Sequence, residues 1–272
     1  MSPPAPHIHF VVPAFDERAN VPFLLHSIAG LARFLRRDVS VLLVDDGSSD
    51  GTAEAAEATA APLDEIRLRV IRHPVNQGPG AAFRTGIRAA LETAGDDDVI
   101  VTIEADNTSD VMIVPKMLDR AERGADLVLA TVYGAGRIVG APLVRRVLSS
   151  GANSLVKLRF GLFGLSTYSS FFRLHRASLL RRAAGAYGTE LITEPGFVCM
   201  VEMLVKLRRV GARVDEVPML LDARVRRGAS KMRVLRTVRT YLRILRGIGH
   251  PPAQDSVPHG RAQLVPATAV AR

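Results

Sequence analysis

Residue types that build several common binding modules are scarce or missing in this sequence. Cys199 is the only cysteine among 272 residues, tryptophan is absent, and aromatic residues make up 5%. A single cysteine rules out a disulfide framework and suits a reducing compartment, so we expect a cytoplasmic protein. The histidines and the cysteine do not fall at zinc-site spacing. With no zinc finger and few rings for stacking on bases, nucleic acid is not expected as a partner.

Long apolar runs are missing too. No stretch of about 18 residues is apolar and free of charge, so no transmembrane helix is predicted. The start of the chain, MSPPAPHIHF, lacks the basic and then apolar pattern of a secretory signal peptide. Any contact with a membrane is therefore expected to be peripheral, on its inner face.

Charge is abundant but unevenly distributed along the chain, whose net charge is +9. Residues 1–132 contain 12 Lys and Arg against 20 Asp and Glu, whereas residues 133–272 contain 24 against 7. Because the first half is acidic and the second half is basic, we expect the two halves of the chain to contact different partners. For the basic half, an anionic membrane surface and a phosphorylated substrate fit equally well.

Short apolar runs alternate with helical patterns through the first half of the chain. Strands are predicted at 7–15, from residue 39, at 66–73, 99–103 and 125–132, and helices near 20–36, at 53–60, 80–95 and near 111–123. Repeated strand-then-helix units indicate an α/β fold with a mostly parallel sheet covered by helices. Ligands of such sheets bind beyond the carboxyl ends of the strands.

The second half is less regular. Helices are predicted at 143–163 and 196–210, an irregular strand in TYSSFFRLHR, and a strand at 212–220. Residues 231–249 contain a basic amphipathic helix, in which Arg236, Arg239, Arg243 and Arg246 follow one face and Leu235, Val238, Leu242 and Leu245 another. This helix is expected either at an anionic membrane surface or packed on the main domain, 1–230, with its arginines in water. The Pro- and Ala-rich segment 250–272 is predicted to be disordered.

Two carboxylates one residue apart, Glu104 and Asp106, follow the apolar run that ends at Ile103. Residues i and i+2 of a strand point to the same side, so we expect these side chains to share a face. Because like charges repel, a hard divalent cation such as Mg²⁺ or Mn²⁺ is predicted between them. The alternative is a solvated acidic loop.

Asp45 and Asp46 end a second predicted strand, in the segment VDDGSSDGT. Their carboxylates are expected to accept hydrogen bonds from a ribose or a base, while Ser48–Thr52 turn into the next helix. The spacing also approaches that of a calcium loop, but such a loop needs a preceding helix and here a strand is predicted. The Gly-rich segment NQGPGAAF lacks a full dinucleotide fingerprint and is interpreted as a loop that lets the backbone approach a ligand.

In this order, several segments resemble the signatures of family 2 glycosyltransferases of the GT-A fold, particularly the dolichyl- or polyprenyl-phosphate mannosyltransferase-like branch. The segments are VVPAFDERANV, VDDGSSDGT, NQGPGAAFRTGI, EADNTSDVMIVPKML, FFRLHRASL, GFVCMVEMLVKLRRVGARVDEVPM and RRGASKM. They cover about residues 8–235, and their order is far more specific than any one of them. The resemblance implies a Rossmann-like sheet flanked by helices. It also implies inverting, metal-dependent transfer of a sugar from a GDP- or UDP-sugar to a polyprenyl phosphate.

Carried over by position, the resemblance implies a role for individual residues. The implied donor-binding residues are Pro13, Ala14, Phe15, Glu17, Asp45, Asp46, Asn76, Gly78, Gly80, Ala105, Arg226 and Ser230. Glu104 and Asp106 would hold the metal on the diphosphate. Asp106, Arg145 and Lys231 would act in catalysis, and Arg137, Arg145 and Arg173 would bind an acceptor phosphate.

Three residues depart from the family pattern. Glu104 stands where the family has Asp, Thr108 where it has Gln, and Val132 where the prenyl-phosphate enzymes have Arg. The longer Glu104 side chain shifts the ion or admits a water, and Arg137 is the candidate to replace the missing arginine. These departures leave donor binding in place and bear mainly on the acceptor.

The acceptor decides whether a general base is needed. Attack by a sugar hydroxyl requires a base near its proton, and Glu194 is the best carboxylate available in the basic half. A phosphate monoester arrives largely ionised and needs cations instead, which favours a polyprenyl phosphate. The alternatives are a non-lipid hydroxyl on a glycan or secondary metabolite, and a non-catalytic module that binds a sugar nucleotide or calcium.

Overall fold

The computed structural model describes residues 5–140, 151, 154–228 and 234–249, with the backbone alone for 234–238. Three residues predicted to act at the site, Arg145, Ser230 and Lys231, lie outside the described residues. So do the segment 250–272 and much of the helix predicted at 143–163.

The strands and helices occur in an alternating order through most of the chain. The strands are β1 (Ile8–Ala14), β2 (Val39–Asp45), β3 (Ile66–Arg72), β4 (Val99–Thr102), β5 (Leu127–Thr131), β6 (Arg137–Val139), β7 (Arg173–Arg176), β8 (Val214–Pro218) and β9 (Leu220–Asp222). The helices are α1 (Val21–Leu35), α2 (Thr52–Ala60), α3 (Pro79–Thr93), α4 (Val114–Glu122), α5 (described over 154–160), α6 (Ala177–Tyr187), α7 (Cys199–Arg209) and α8 (Val234–Arg246). Short 3₁₀ turns precede α4 and follow α6.

Seven strands form one sheet in the order β3-β2-β1-β4-β7-β5-β8. The four strands β3, β2, β1 and β4 lie side by side and pair in parallel. Strands β5 and β8 also pair in parallel. Strand β7 lies antiparallel between β4 and β5. The prediction of an α/β fold with a mostly parallel sheet flanked by helices is therefore confirmed.

Each face of this sheet is covered by its own apolar core. Phe10 and Val12 of β1 pack into the core that contains Leu24 and Ile28 of α1. The intervening Val11 packs on the opposite face, in the core that contains helices α3, α6 and α7. Strands buried on both faces read as continuous apolar runs, which is why these segments are recognisable in the sequence.

Helix α8 is packed against the domain through part of its surface. Ile244 and the following Ile248 are buried among residues of the second core. Leu242, which belongs to the predicted apolar stripe, is instead 57% exposed. The Arg159 guanidinium donates to the carbonyl oxygen of Leu245 at 2.7 Å. Among the described residues, no helix combines the length and the apolar character needed to cross a bilayer.

Candidate functional site

The residues that follow β1 and β2 are tied together at the carboxyl edge of the sheet. The backbone N–H of Asp16 donates to Ser48 Oγ at 2.9 Å, and Ser49 N–H returns a bond to Asp16 Oδ1 at 2.9 Å. The N–H of Glu17 donates to Thr52 Oγ1 at 2.8 Å. Parallel pairing of the two strands brings these loops to one edge. Pro13, Ala14 and Phe15, predicted to contact the donor, lead into this edge.

Asp46 holds the Gly-rich loop from the middle of this edge. Its carboxylate accepts the N–H groups of Gln77 at 3.0 Å and Gly78 at 2.7 Å, and contacts His73 Nδ1 at 2.7 Å. His73 Nε2 lies 3.0 Å from Thr85 Oγ1. Both oxygens of Asp46 are thus used within the protein, and the residue shapes the loop before any ligand is considered.

The calcium-loop alternative for the segment after β2 finds no support in this geometry. The element directly before the segment is the strand β2, whereas a calcium loop directly follows a helix. Asp50, one of the carboxylates at calcium-ligand spacing, accepts from Thr52 N–H at 3.0 Å and from Arg18 N–H at 3.0 Å. Its oxygens therefore cap the start of α2 and fix the loop after β1.

The glycines of the loop allow close packing against a segment from the second half of the chain. Gly78 has φ +92°, and a Cβ there would collide with the carbonyl oxygen of Pro195. A Cβ on Gly80 would collide with the carbonyl oxygen of Glu194, and the Gly80 N–H donates to Pro195 O at 2.8 Å. The close approach predicted for these glycines is thus made to the protein's own backbone, while Asn76 is exposed.

The two carboxylates predicted to hold a metal follow β4 in a turn. Because β4 ends at Thr102, Glu104 and Asp106 are not consecutive outward residues of a strand, and the argument from strand alternation is wrong. Asp106 is 3% exposed, and its Oδ1 accepts from Thr108 N–H at 3.0 Å and from Thr108 Oγ1 at 2.7 Å. Ala105 between the carboxylates is buried.

Arg226 places a positive charge beside the carboxylate of Asp106. Its Nη2 forms an ion pair with Asp106 Oδ2, and both side chains are largely buried. Among the described residues, no group of three or more His, Cys, Asp and Glu is placed to hold a metal ion. The carboxylate of Asp106 is thus already paired with a cation of the protein itself.

Asn20 fixes the loop that carries Arg226, a contact that sequence reasoning missed. Its side-chain amide exchanges two 2.9 Å hydrogen bonds with the backbone N–H and C=O of Arg227. The Arg227 guanidinium lies 4.2 Å from the centre of the Phe23 ring. An Asn just before a predicted helix suggests a cap, but Asn20 makes no capping bond and holds the distant loop instead.

The arginines predicted to bind an acceptor phosphate are not brought together by the described structure. Arg137 is exposed in the small parallel sheet of β6 and β9. Arg173 is fully buried in β7, where it donates to Ser170 O at 2.7 Å and Tyr168 O at 2.8 Å. Burial lowers the pKa of Arg173 to about 10. Its Nη1 finds no hydrogen-bond partner among the described residues, and the side chain is shielded from solvent in this arrangement.

Glu194, the candidate general base, is engaged by the C-terminal helix. Its Oε2 lies 2.6 Å from Arg243 Nη2, and only 12% of its side chain is exposed. The carboxylate oxygen that a base would use is thus already engaged by a guanidinium. This geometry does not favour Glu194 as a base.

The sequence model described as "Glycosyl transferase family 2" matches residues 9–184. An undecaprenyl-phosphate mannosyltransferase of Micrococcus luteus is 31% identical over 224 residues, which are 82% of this chain and 86% of that protein. A polyprenol monophosphomannose synthase of Mycolicibacterium smegmatis is 29% identical over 223 residues, covering 82% of this chain and 79% of that protein.

Solved structures with the same fold include glucosyl-3-phosphoglycerate synthase of Mycobacterium tuberculosis in complex with Mn²⁺ and UDP-glucose. It superposes with a TM-score of 0.63 at 23% identity, over 91% of this chain and 81% of that one. The same enzyme with Mn²⁺, UDP-glucose and phosphoglyceric acid gives a TM-score of 0.62 at 22% identity, over 88% and 77%. At these identities the likeness shows the fold, which is that of GT-A glycosyltransferases.

Proposed function

This chain belongs to glycosyl transferase family 2 and is a glycosyltransferase, and we propose that it transfers a sugar from a GDP- or UDP-sugar to a polyprenyl phosphate. The proposal takes the acceptor class from the names of the two relatives, which align over 82% of the chain. The observation in the molecule that carries it is the meeting of Asp106 and Arg226 at the carboxyl edge of the sheet. A nucleotide diphosphate is bound by a metal ion, which carboxylates can hold, and by cationic side chains that contact its phosphates directly.

The donor would lie along this edge. The ends of β1 and β2 and the residues that follow β1 would supply Pro13, Ala14, Phe15, Glu17 and Asp45. The loop shaped by Asp46 and the start of α3 would supply Asn76, Gly78 and Gly80. Arg226 and Ser230 would contact the phosphates from the arginine-rich segment that follows β9, called the basic loop below. Arg226 already points at the edge through its ion pair with Asp106. Asn20 fixes the backbone of this loop, so the charge of Arg226 is positioned before the donor binds.

Glu104 and Asp106 fit a divalent metal by their chemistry, because carboxylate oxygens are the ligands that Mg²⁺ and Mn²⁺ prefer. The ion pair of Asp106 with Arg226 supports the fit, since this buried oxygen already accepts a positive partner. A metal bound there would supply positive charge to the diphosphate oxygens of the donor.

The reaction is proposed as a single inverting displacement. An oxygen of the acceptor phosphate attacks the anomeric carbon, a new carbon–oxygen bond forms, and the bond to the leaving diphosphate breaks with its electron pair. Negative charge grows on the diphosphate, where Arg226 and Lys231 would stabilise it. Because the acceptor phosphate arrives ionised, no base is needed, which agrees with a Glu194 carboxylate already paired to Arg243.

Arg137 and Arg145 are the proposed cations for the acceptor phosphate. Arg137 is exposed on β6, which pairs with β9 just before the loop of Arg226. Arg173 could join them only if its surroundings opened, since it is shielded from solvent here. Its proposed role is therefore the support of the Tyr168–Ser170 backbone, to which it donates two hydrogen bonds.

A polyprenyl acceptor requires approach to a membrane, and we propose that α5 and α8 make this contact. The two helices are in contact at the end of α8, where Arg159 donates to the carbonyl oxygens of Leu245 and Arg246. Large apolar side chains are exposed on and near them, at Leu155, Leu158, Phe163 and Leu242. Arg239, Arg243 and Arg246 of α8 are exposed as well. Apolar side chains flanked by cations are typical of helices that bind anionic lipid surfaces.

A direct assay tests the acceptor. GDP- and UDP-sugars are incubated with Mn²⁺ and either undecaprenyl phosphate, a neutral glycan or a small alcohol, and product is measured by mass spectrometry. We expect product with undecaprenyl phosphate alone, and Arg145→Ala should reduce its use far more than it reduces donor binding. Efficient transfer to a neutral hydroxyl with undecaprenyl phosphate inert would favour the non-lipid alternative.

A further inference from the structure

Helix α7 contains a buried ion pair that the proposed chemistry does not use. Glu202 Oε1 lies 2.6 Å from Lys206 Nζ, and the two side chains are 4% and 3% exposed. The ammonium group also donates to the carbonyl oxygen of Glu190 and lies 5.3 Å from the centre of the Tyr187 ring. Burying two charges is costly, and an apolar pair of similar volume often stabilises a fold as well or better. The pair therefore invites a reason other than stability.

Glu202 fixes the backbone of the segment that precedes α7. Its Oε2 accepts the N–H groups of both Thr193 and Glu194 at 2.9 Å, and its Oε1 accepts from Thr193 Oγ1 at 2.5 Å. Lys206 places its ammonium group against the same carboxylate, and hydrogen bonds to charged groups are stronger than neutral ones. One side chain thus sets the path of the backbone through Thr193 and Glu194.

The same short segment supports the Gly-rich loop on its other side. Pro195 O accepts the N–H of Gly80 at 2.8 Å, and the carbonyl oxygens of Glu194 and Pro195 fill the space where a Cβ of Gly80 or Gly78 would lie. The loop is therefore held between two carboxylates. Asp46 binds its N–H groups directly, and Glu202 acts through the backbone of Glu194 and Pro195.

We propose that Glu202 is a positioning residue for donor binding, which acts through residues 193–195 on the loop from Asn76 to Gly80. The role of the loop in holding the donor rests on the proposed function, whereas the dependence of the loop's order on Glu202 does not. In Glu202→Gln one of the two oxygens becomes an NH2 group, which would face either the Lys206 ammonium on one side or the N–H groups of Thr193 and Glu194 on the other. The variant should therefore loosen the segment without removing side-chain volume.

The experiment compares Glu202→Gln with Glu216→Gln. Glu216 is a matched control, because its carboxylate also accepts two successive backbone N–H groups, those of Ser166 and Thr167, at 2.9 Å. Hydrogen exchange is measured on peptides covering residues 74–84. We expect exchange there to rise about tenfold in Glu202→Gln and to stay at the wild-type rate in Glu216→Gln, which corresponds to local opening made easier by roughly 1.4 kcal/mol.

Donor binding is measured on the same variants by titration with UDP and GDP. We expect Glu202→Gln to raise the Kd of whichever nucleotide the wild type binds, with kcat at saturating donor little changed. If Glu202→Gln fails to fold, the variant Glu202→Gln with Lys206→Met removes both charges and is measured instead. Unchanged exchange at residues 74–84 in a folded Glu202 variant overturns the proposal. Raised exchange in a protein that binds neither nucleotide supports the positioning role and overturns the proposed donor.

Discussion

The guanidinium of Arg226 forms an ion pair with the carboxylate of Asp106, across more than a hundred residues of sequence. The pair joins the basic loop to the turn after β4, and Asn20 holds the neighbouring backbone of Arg227 at the same time. A cation bound at Asp106 must share this carboxylate with Arg226 or displace it. Metal binding and the position of the loop are therefore linked.

Replacing Arg226 with Gln is expected to strengthen metal binding while it weakens donor binding. The competing charge is removed from Asp106, so we expect the Kd for Mn²⁺ to fall about fivefold, which corresponds to roughly 1 kcal/mol. The measurement is a Mn²⁺ titration followed by electron paramagnetic resonance, with UDP and GDP titrated separately. Arg224→Gln is the control, because Arg224 pairs with Asp222 in an exposed position of the same loop. Weaker Mn²⁺ binding in Arg226→Gln would contradict the competition.

Replacing either candidate metal ligand is expected to abolish transfer without unfolding the protein. Glu104→Gln and Asp106→Asn each remove a negative charge while keeping shape, so charge on the leaving diphosphate is no longer compensated. Transfer and Mn²⁺ binding are measured together with circular dichroism. Asp110→Asn serves as the control, since Asp110 is exposed nearby and accepts the N–H of Met112. Wild-type rates for both ligand variants in the presence of a chelator would contradict the assignment.

Acid is expected to destabilise the fold through His175 in the sheet. Burial, reinforced by the charge of Arg173, lowers the pKa of His175 to about 3 from 6.5. Its folded pKa is below its unfolded one, so stability is complete above pH 6.5 and is lost as the pH falls toward 3. Between pH 7.5 and pH 5 the loss from this group is about 2 kcal/mol, measured by urea unfolding.

His175→Asn should remove this part of the pH dependence. The Asn amide can donate to Ile100 O, which lies 3.2 Å from His175 Nδ1 in the folded protein. His26→Asn, at an exposed position of α1, controls for the loss of a histidine as such. An equal loss of stability in His175→Asn and the wild type would show that other groups carry the acid sensitivity.

Binding to anionic liposomes is expected to depend on α8. Flotation with vesicles rich in anionic lipid at low salt should recover the wild type, and Arg239→Gln with Arg246→Gln should release it, because each basic residue near such a surface contributes about 1 kcal/mol. Arg243 is left intact in this variant because it pairs with Glu194. Leu158→Ser tests the apolar contribution of α5. Flotation that is equal for all variants, or absent at low salt, would favour a helix that only packs on the domain.

The first half of the fold is predictable from sequence because its signals are local. β1, β2 and β4 are buried apolar runs that end in turn residues, and the structure places each within two residues of its predicted bounds. Helix α6 was not predicted, since it follows β7 directly at Arg176, which has extended backbone angles and no Gly or Pro beside it. Without such punctuation, periodicity alone does not separate the strand from the helix.

The site was predictable only in part, for a related reason. That Asp46 and Asp106 lie at one edge follows from parallel strands, which the alternation of elements indicates. The contacts of Asp106 with Arg226 and of Asn20 with Arg227 join residues far apart in sequence, and no local pattern encodes them. The burial of Arg173 is likewise decided by β7, whose place between β4 and β5 is a matter of topology.

The position of β7 between β4 and β5 determines when the sheet can close as the chain is synthesised. When β5 leaves the ribosome, its two neighbours in the sheet, β7 and β8, have not yet been synthesised. Residues 132–172 must follow before β7 can bridge β5 to β4. Until then both β4 and β5 present unpaired apolar edges, which are templates for pairing with other chains. Nascent chains that end before residue 173 are expected to need a chaperone, whereas chains extended past β8 can close the sheet.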